Sequence, residues 1–449
     1  MLAVAGRVIM MILTVLYTFL SAASCSAQPE PAGLPVQDAP LETPDKILTI
    51  LQSREGISLS LQRAAERFVS LNPGVTIRVQ TVAGESSYRT ALRSRLLSGE
   101  DVGLFHIFGH QDMMELREHL DDLSDLSWAR RAQADSILPV VDAQAVLGVP
   151  YALEGMGLIY NRDIFLAAGV DIASASSPEA LSEVFSALRE EMYMGNLIEA
   201  YPGLKAVTAL PAQDYSYLGR MLADVLLTGE FSSPPQAANA PFLAFVGEED
   251  AEEYLALLAG GASMGSGWQG LLTSTRADQV ESGLAAGRVA VVHQSTGVYK
   301  NVLALSGDIA AALSLLPIPL SEEEESVIYT EAPAFWAVNA AASKEAKAIA
   351  RDFLSFLYQS EEGGKLLAED FGIVSPYLEY YTPTQSPLDG ELMRYISEGR
   401  FKPRYWREFP KGWDTGAAAV ILRRYLGEPD YPWEEAVRQM KEDWTVLRG

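Results

Sequence analysis

The order of elements in the sequence predicts an α/β fold, with helices laid on the faces of a parallel sheet. Two observations carry this. First, β-type apolar runs at Ile47–Leu51, Val75–Val82 and Val102–Phe108 alternate with helical stretches at Ser58–Leu71 and Ser87–Ser98. Strand, helix, strand, helix, strand in that order argues for a parallel sheet covered by helices. Second, the chain has 449 residues, 48% of them hydrophobic, enough apolar mass for more than one core.

Each element has a local reason. Ile47–Leu51 is a short apolar strand that ends in the polar loop Gln52-Ser53-Arg54-Glu55. Ser58–Leu71 carries apolar residues near helical spacing, and Asn72-Pro73-Gly74 stops it. From Val75 onward Val75, Ile77 and Val79 alternate with polar residues, as in a half-buried strand. Ser87–Ser98 places Leu92, Leu96 and Leu97 on one side of a helix, and Val102–Phe108 is a buried strand. Ligands of open parallel sheets sit beyond the carboxyl ends of the strands. That rule marks the loops Gln52–Glu55 and Phe108–Asp112 as cleft-lining.

The stretch G-V-P-Y-A-L-E-G-M-G-L-I-Y-N-R-D-I-F-L-A-A-G-V, Gly148 to Val170, sets Glu154 and the rings of Tyr151 and Tyr160 on a short apolar segment. Strand alternation puts Tyr151 and Leu153 on one face and Glu154 and Leu158 on the other. A carboxylate among such neighbours is costly without a partner. A cleft ligand is one such partner, and an arginine at a hinge is another. The segment closely resembles the cross-over strand of bacterial extracellular solute-binding proteins of family 1, the sugar-binding subunits of ABC importers. In that family the strand links two lobes and lends a carboxylate to the ligand.

The amino terminus reads as an export signal. Arg7 precedes the apolar run Val8–Leu20, which is shorter than the roughly 20 residues of a comfortable membrane span. Ala23-Ser24-Cys25 fits the small-small-Cys end of a lipobox, with Ala22 where Leu is usual, so residues 1–24 are expected to be cleaved and Cys25 to be lipidated. Cys25 is the only cysteine, so intrachain disulfides are excluded. Residues 25–46, with Pro29, Pro31, Pro35, Pro40 and Pro44, form an extended tether. The chain is then expected at the cell membrane by its lipid, facing the extracellular or periplasmic side.

Other matches extend the resemblance along the chain. The opening E-R-F-V-S-L-N-P-G-V-T-I is similar to the family's opening, and Leu284–Val291 resembles its F-x-x-G-K-A-A-M strand. Phe335–Leu357 resembles its strand, Ser-Lys turn and long helix, and Pro410–Asp414 with Trp444 resembles its helical end. The resemblance implies the two-lobe periplasmic-binding-protein type II fold with a ligand cleft between the lobes. Crossings are expected near Leu153–Met156, Leu315–Pro319 and Tyr358–Gly363. Lobe one is then 47–153 plus 320–357, and lobe two 154–316 plus 361–449.

A sugar offers hydroxyls, which suit Asp, Glu, Gln and Arg, and flat C–H faces, which suit aromatic rings. Glu154 is the first candidate ligand residue. Gln52, Arg54 and Glu55 follow in the first strand-to-helix loop, and His110 and Asp112, beside Gln111, in the next. His106 and His110 lie at i, i+4 but on a strand and loop, so no metal pair is expected. The resemblance puts a carboxylate and a ring at Asp214, Tyr215 and Tyr217, where Asp214 also suits a helix N-cap. It puts a Gly-x-Trp after the Val289–Val292 strand, where this chain has Gly297 and then Tyr299. Trp336 and Trp413 complete the set, Trp336 with an alternative as core.

Several readings are excluded or set aside. Gly265–Gly270 matches G-x-G-x-x-G, and Gly261–Gly265 matches G-x-S-x-G around Ser263, but a helix precedes both where a strand is required. Trp268 in this loop could flank the cleft. The run Glu322–Glu325 is a solvated loop. No phosphate-binding G-x-x-x-x-G-K-[ST] and no H-E-x-x-H occur, so no nucleotide, cofactor or metal ion is expected. The formal charge of −25 argues against nucleic acid. The expected function is non-catalytic capture of a carbohydrate, such as an oligosaccharide, by hinge closure. A monomer then delivers the sugar to ABC permease subunits. The alternatives are a cationic ligand, such as a polyamine or ferric iron (a tyrosine pair stands at Tyr380-Tyr381), and a secreted glycosidase.

Overall fold

The computed structural model describes residues 46–227, 229–262 and 267–449. The expected export signal, Cys25 and the expected tether up to Asp45 lie outside the described residues, as do Ser263 and the start of the Gly265–Gly270 loop.

The chain forms β1 (Lys46–Gln52), β2 (Val75–Thr81) and β3 (Leu104–Ile107), separated by helices Ser58–Leu71 and Glu85–Ser98. It continues through the small hairpin β4 (Val141–Asp142) and β5 (Ala145–Val146) to β6 (Val149–Pro150) and β7 (Glu154–Asn161). Then come β8 (Ala206–Thr208), β9 (Val289–Ser295), β10 (Leu313–Leu316), β11 (Ile328–Glu331), β12 (Phe335–Val338) and β13 (Phe401–Pro403), with helices between them. The first sheet has the order β2-β1-β3-β12-β6, and the second β13-β11-β7-β9-β8 with β10 paired to β7.

β1 runs parallel to both β2 and β3. Leu48, Ile50 and Leu51 are fully buried on its two faces, as a parallel strand covered on both sides requires. The helix Ser58–Leu71 buries Leu61, Ala64, Ala65 and Phe68, one stripe at helical spacing. It stops where the Asn72 side-chain amide donates to the Phe68 carbonyl at 2.8 Å, and Gly74 turns with φ 85°. In the next helix Leu92 is buried but Leu97 is 83% exposed, so Leu97 leaves the apolar side assigned to it. It sits in the last turn, just before the left-handed Gly99 that ends the helix.

β7 carries the chain to the second sheet. Tyr151 and Ala152 belong to the first core, and Met156 and Leu158 to the second. Leu158 and Ile159 are fully buried on opposite faces of the second sheet, which therefore has a core on each side. A Cβ on Gly157 would lie 2.6 Å from the Leu316 carbonyl oxygen, so β10 can approach only a glycine there.

The later crossings differ from expectation. Ile318, Val327 and Tyr329 remain in the second core, and β11 pairs with β7 through Tyr329–Met156 and Thr330–Gly155. The chain returns at Ala332–Ala334, the first residues to rejoin the first core. The two prolines at 317 and 319 break a strand without changing lobe. The Glu361–Glu369 helix, assigned to lobe two, packs Leu367 into the first core, followed by Phe371 and Tyr377. Ser360 caps this helix through the Gly363 N–H at 2.9 Å. A cap marks a new helix, and this one folds back on the Lys344–Tyr358 helix. Leu388 and Leu392 then join a core of the second sheet. No helix among the described residues is long and apolar enough to cross a membrane.

Candidate functional site

The site starts at the carboxyl end of β1. Gln52 is fully buried. Its side-chain amide donates to Thr81 Oγ1 at 2.6 Å, and its Oε1 accepts the Arg54 N–H at 2.5 Å. These bonds fix the loop that presents Arg54. The Arg54 guanidinium lies 5.6 Å from the Tyr151 ring centre and donates from Nη2 to Glu154 Oε1 at 3.3 Å.

Glu154 opens β7 and stands in register with Glu331 of β11. Burial pushes the Glu154 carboxyl up, and Arg54 opposes this. Burial acts on Glu331 too, but Arg404, Arg407 and the Trp406 N–H outweigh it and hold that carboxyl below its ordinary value. Arg404 is almost wholly buried between Asp224 and Glu331, at 2.7 Å from each. The two acidic residues at the crossover thus have separate cations.

Beside Arg54 and Glu154 lies a cavity of about 740 Å³ between the first-lobe loops and the loop after β9. Tyr151, Thr296, Gly297, Tyr299, Lys300, Asp370, Phe371, Gln385 and Asp389 also line it. Tyr299 donates to the Gln385 carbonyl at 3.3 Å, and Lys300 Nζ to the Phe371 carbonyl at 2.5 Å. Burial and Arg54 lower the Lys300 pKa. Asp389 accepts from Thr384 Oγ1 at 2.6 Å. Burial, with Glu154 adding, raises its carboxyl to about 6. The cavity therefore presents cations, carboxylates, hydroxyls and rings together. Such a lining can donate to and accept from a polyhydroxyl ligand.

Of the residues expected at the site, Arg54, Glu154 and Tyr299 line this cavity. Gln52 lies behind Arg54, and Glu55 is exposed on the turn that follows. His110 and Asp112 are buried elsewhere; Asp112 is paired with Arg89 and accepts the Phe108 N–H at 3.0 Å. Asp214 caps a helix by accepting the Tyr217 N–H at 3.0 Å, the role its sequence context also suited. Tyr215 is 42% exposed and Tyr217 is buried; neither lines the cavity.

Trp336 and Trp413 are fully buried and have no face to offer a ligand. Trp336 packs on the His106 ring at 4.0 Å, and Trp413 donates to the Met440 carbonyl at 3.0 Å. His106 is itself fully buried, and burial holds its pKa well below the ordinary value. Among the described residues no group of three or more His, Cys, Asp or Glu could hold a metal ion. Tyr380 is 39% exposed, and Tyr381 packs against a core of the second sheet.

The cavity also brings together Lys300, Asp370, Gln385 and Asp389, which the sequence did not single out. Lys300 follows Tyr299 directly, so the loop after β9 could have been extended to it. Asp389 follows Ser386-Pro387, and the first turn of a helix is an ordinary place for an acid. Its role at the cavity comes from packing alone.

Two α/β lobes joined by crossover strands, with a polar cavity at the crossover, define a two-lobe binding protein. The family model of the bacterial extracellular solute-binding proteins matches residues 54–364, more than half of the chain, and the chain belongs to that family. No curated protein matches it.

Among solved structures the binding protein MsmE from Bacillus subtilis, in an open conformation, is similar at a TM-score of 0.70 and 15% identity, over 91% of this chain and 98% of that one. Apo RafE from Streptococcus pneumoniae is similar at 0.68 and 15%, over 90% and 98%. The GacH receptor of Streptomyces glaucescens is similar at 0.64 and 14%, over 89% and 98%. At these identities the likeness is one of fold.

Proposed function

We propose that this chain is the carbohydrate-binding subunit of an ABC importer, exported and anchored through Cys25. It would close its lobes on a sugar and deliver it to a membrane permease without chemical conversion. The observation that carries this reading is the cavity at the crossover, where Arg54, Glu154, Lys300 and Asp389 stand beside Tyr299. Opposed charges serve a neutral ligand rich in hydroxyls, because each hydroxyl both donates and accepts. The volume, about 740 Å³, lies in the range of roughly 300–1,000 Å³ usual for small-molecule sites. Related structures are described with raffinose, with acarbose and with stachyose, which supports a sugar here.

The test is a thermal-shift screen of the purified protein against these sugars, chitin oligosaccharides, spermidine and ferric ion, followed by calorimetry. A ligand present at 100 times its dissociation constant adds about 2.7 kcal/mol of stability. Stabilisation by a sugar, with no product after overnight incubation, is the expected result. A response confined to spermidine or iron overturns the ligand class, and glycoside turnover overturns the transport role.

A further inference from the structure

The lobes meet on the other side of the cleft, at the loop after β3, through atoms of the chain itself. Glu408 is 2% exposed. Its Oε1 accepts the His110 N–H at 2.8 Å, and its Oε2 the Gln111 N–H at 3.0 Å. Both donors belong to the first lobe, whose core takes in Phe108 and Met113; Phe409, beside Glu408, belongs to a core of the second. The Gln111 side-chain amide crosses the same boundary and donates to the Phe409 carbonyl at 2.9 Å.

Neighbouring residues are built around this contact. Gly109 has φ 149°, a conformation that favours glycine, and a Cβ there would lie 2.7 Å from Glu408 Oε1 and would displace the carboxylate from its place. Arg407 donates to the Pro333 carbonyl at 3.1 Å, lies 3.5 Å from Glu85 of the first lobe and packs over the Phe108 ring. Arg448 Nη2 holds the Glu408 carbonyl at 2.7 Å. Burial pushes the Glu408 carboxyl up to about 7, and the two backbone N–H groups, Arg407 and Arg448 oppose this; in its ionised form it makes charge-assisted bonds. Removing it leaves those donors buried and unmet.

We infer that Glu408 is an interlobe clasp, which shuts the cleft on the His110 side and leaves the Arg54 side as the open binding region. The clasp lies outside the cavity, and its bonds run between groups of the chain itself. Its test is therefore independent of which ligand the protein takes, and a failed carbohydrate screen does not decide it.

The experiment places spin labels at Leu97→Cys in the first lobe and Tyr193→Cys in the second, in the full chain carrying Cys25→Ser. Both positions are more than 80% exposed. Distances are measured by pulsed electron resonance with no sugar added. The parent is expected to show one narrow distance distribution. Glu408→Ala is expected to broaden it and add a longer component, and Gln111→Ala, at a half-buried position, to do the same to a smaller extent. Circular dichroism confirms that each variant is folded. If Glu408→Ala does not fold, Glu408→Gln, whose amide can accept only one of the two backbone N–H groups, decides alone. A folded Glu408 variant whose distribution superimposes on the parent's overturns the clasp.

Discussion

Arg54 Nη2 stands 3.3 Å from Glu154 Oε1, tying the loop after the first strand to the first residue of the crossover strand. The side chains are 38% and 22% exposed, so the pair is partly open to the cavity, with Glu154 the more buried member. An ion pair this exposed contributes at most about 1 kcal/mol to stability. In the proposed function its role is to present a charged acceptor, already oriented, to a ligand.

Glu154→Ala is therefore expected to separate binding from stability. The melting temperature should fall little. Sugar affinity should fall tenfold or more, because a hydrogen bond to a charged group contributes roughly 1.5–3 kcal/mol. Calorimetry with the sugar found in the screen, alongside a melting curve, checks both parts. Unchanged affinity would remove Glu154 from the site.

Asp389 predicts a pH dependence. Burial lifts its carboxyl from an ordinary 3.8 to about 6. Between these values the folded chain holds a proton that the unfolded chain has lost. The stabilisation is complete below about pH 4 and is lost as pH rises through 6. At pH 8 the buried charge costs up to about 3 kcal/mol. Asp389→Asn should therefore be more stable than the parent at pH 8, and this advantage should shrink as pH falls from 6 to 4. Denaturant titrations at both ends of this range measure it.

Arg404 is 3% exposed and lies between Asp224 and Glu331. Arg404→Met leaves two carboxylates without their cation, and breaking such a buried network costs about 3–5 kcal/mol. The loss should appear in denaturant unfolding at neutral pH. A small loss would show that water already reaches the network.

Trp413 tests whether a tryptophan of the C-terminal region stacks on sugar or fills the core. Trp413→Phe keeps most of the buried ring but loses the bond to the Met440 carbonyl. Stability should fall by about 1 kcal/mol or somewhat more, while sugar affinity stays within threefold. A large loss of affinity at unchanged stability would return this ring to the binding site.

The site shows where reading along the chain stops. Arg54 was legible because it sits just past the end of a strand, where sheet geometry puts ligands. Glu154 was legible as a carboxylate on an apolar strand, and both readings of it hold geometrically: it has an arginine partner and it lines the cavity. Asp112 and Asp214 occupy equally suitable loops, yet Arg89 and a helix N-terminus engage them. A sequence lists polar groups without saying which are already satisfied by neighbours distant in the chain.

The sequence by itself determined the α/β class, the first three strands and their helices, and the crossover at Glu154. These depend on local periodicity, caps and turn residues, which act over a few residues. Tertiary structure alone decided that β11 pairs with β7 before the chain returns at Ala332, that the Glu361–Glu369 helix stays with the first core, and that Trp336 and Trp413 are buried. It also brought Lys300 and Asp389 to Glu154, and Glu408 to His110. Such contacts join residues up to about 300 positions apart. They are set by which apolar faces pack together, and no local pattern records that choice.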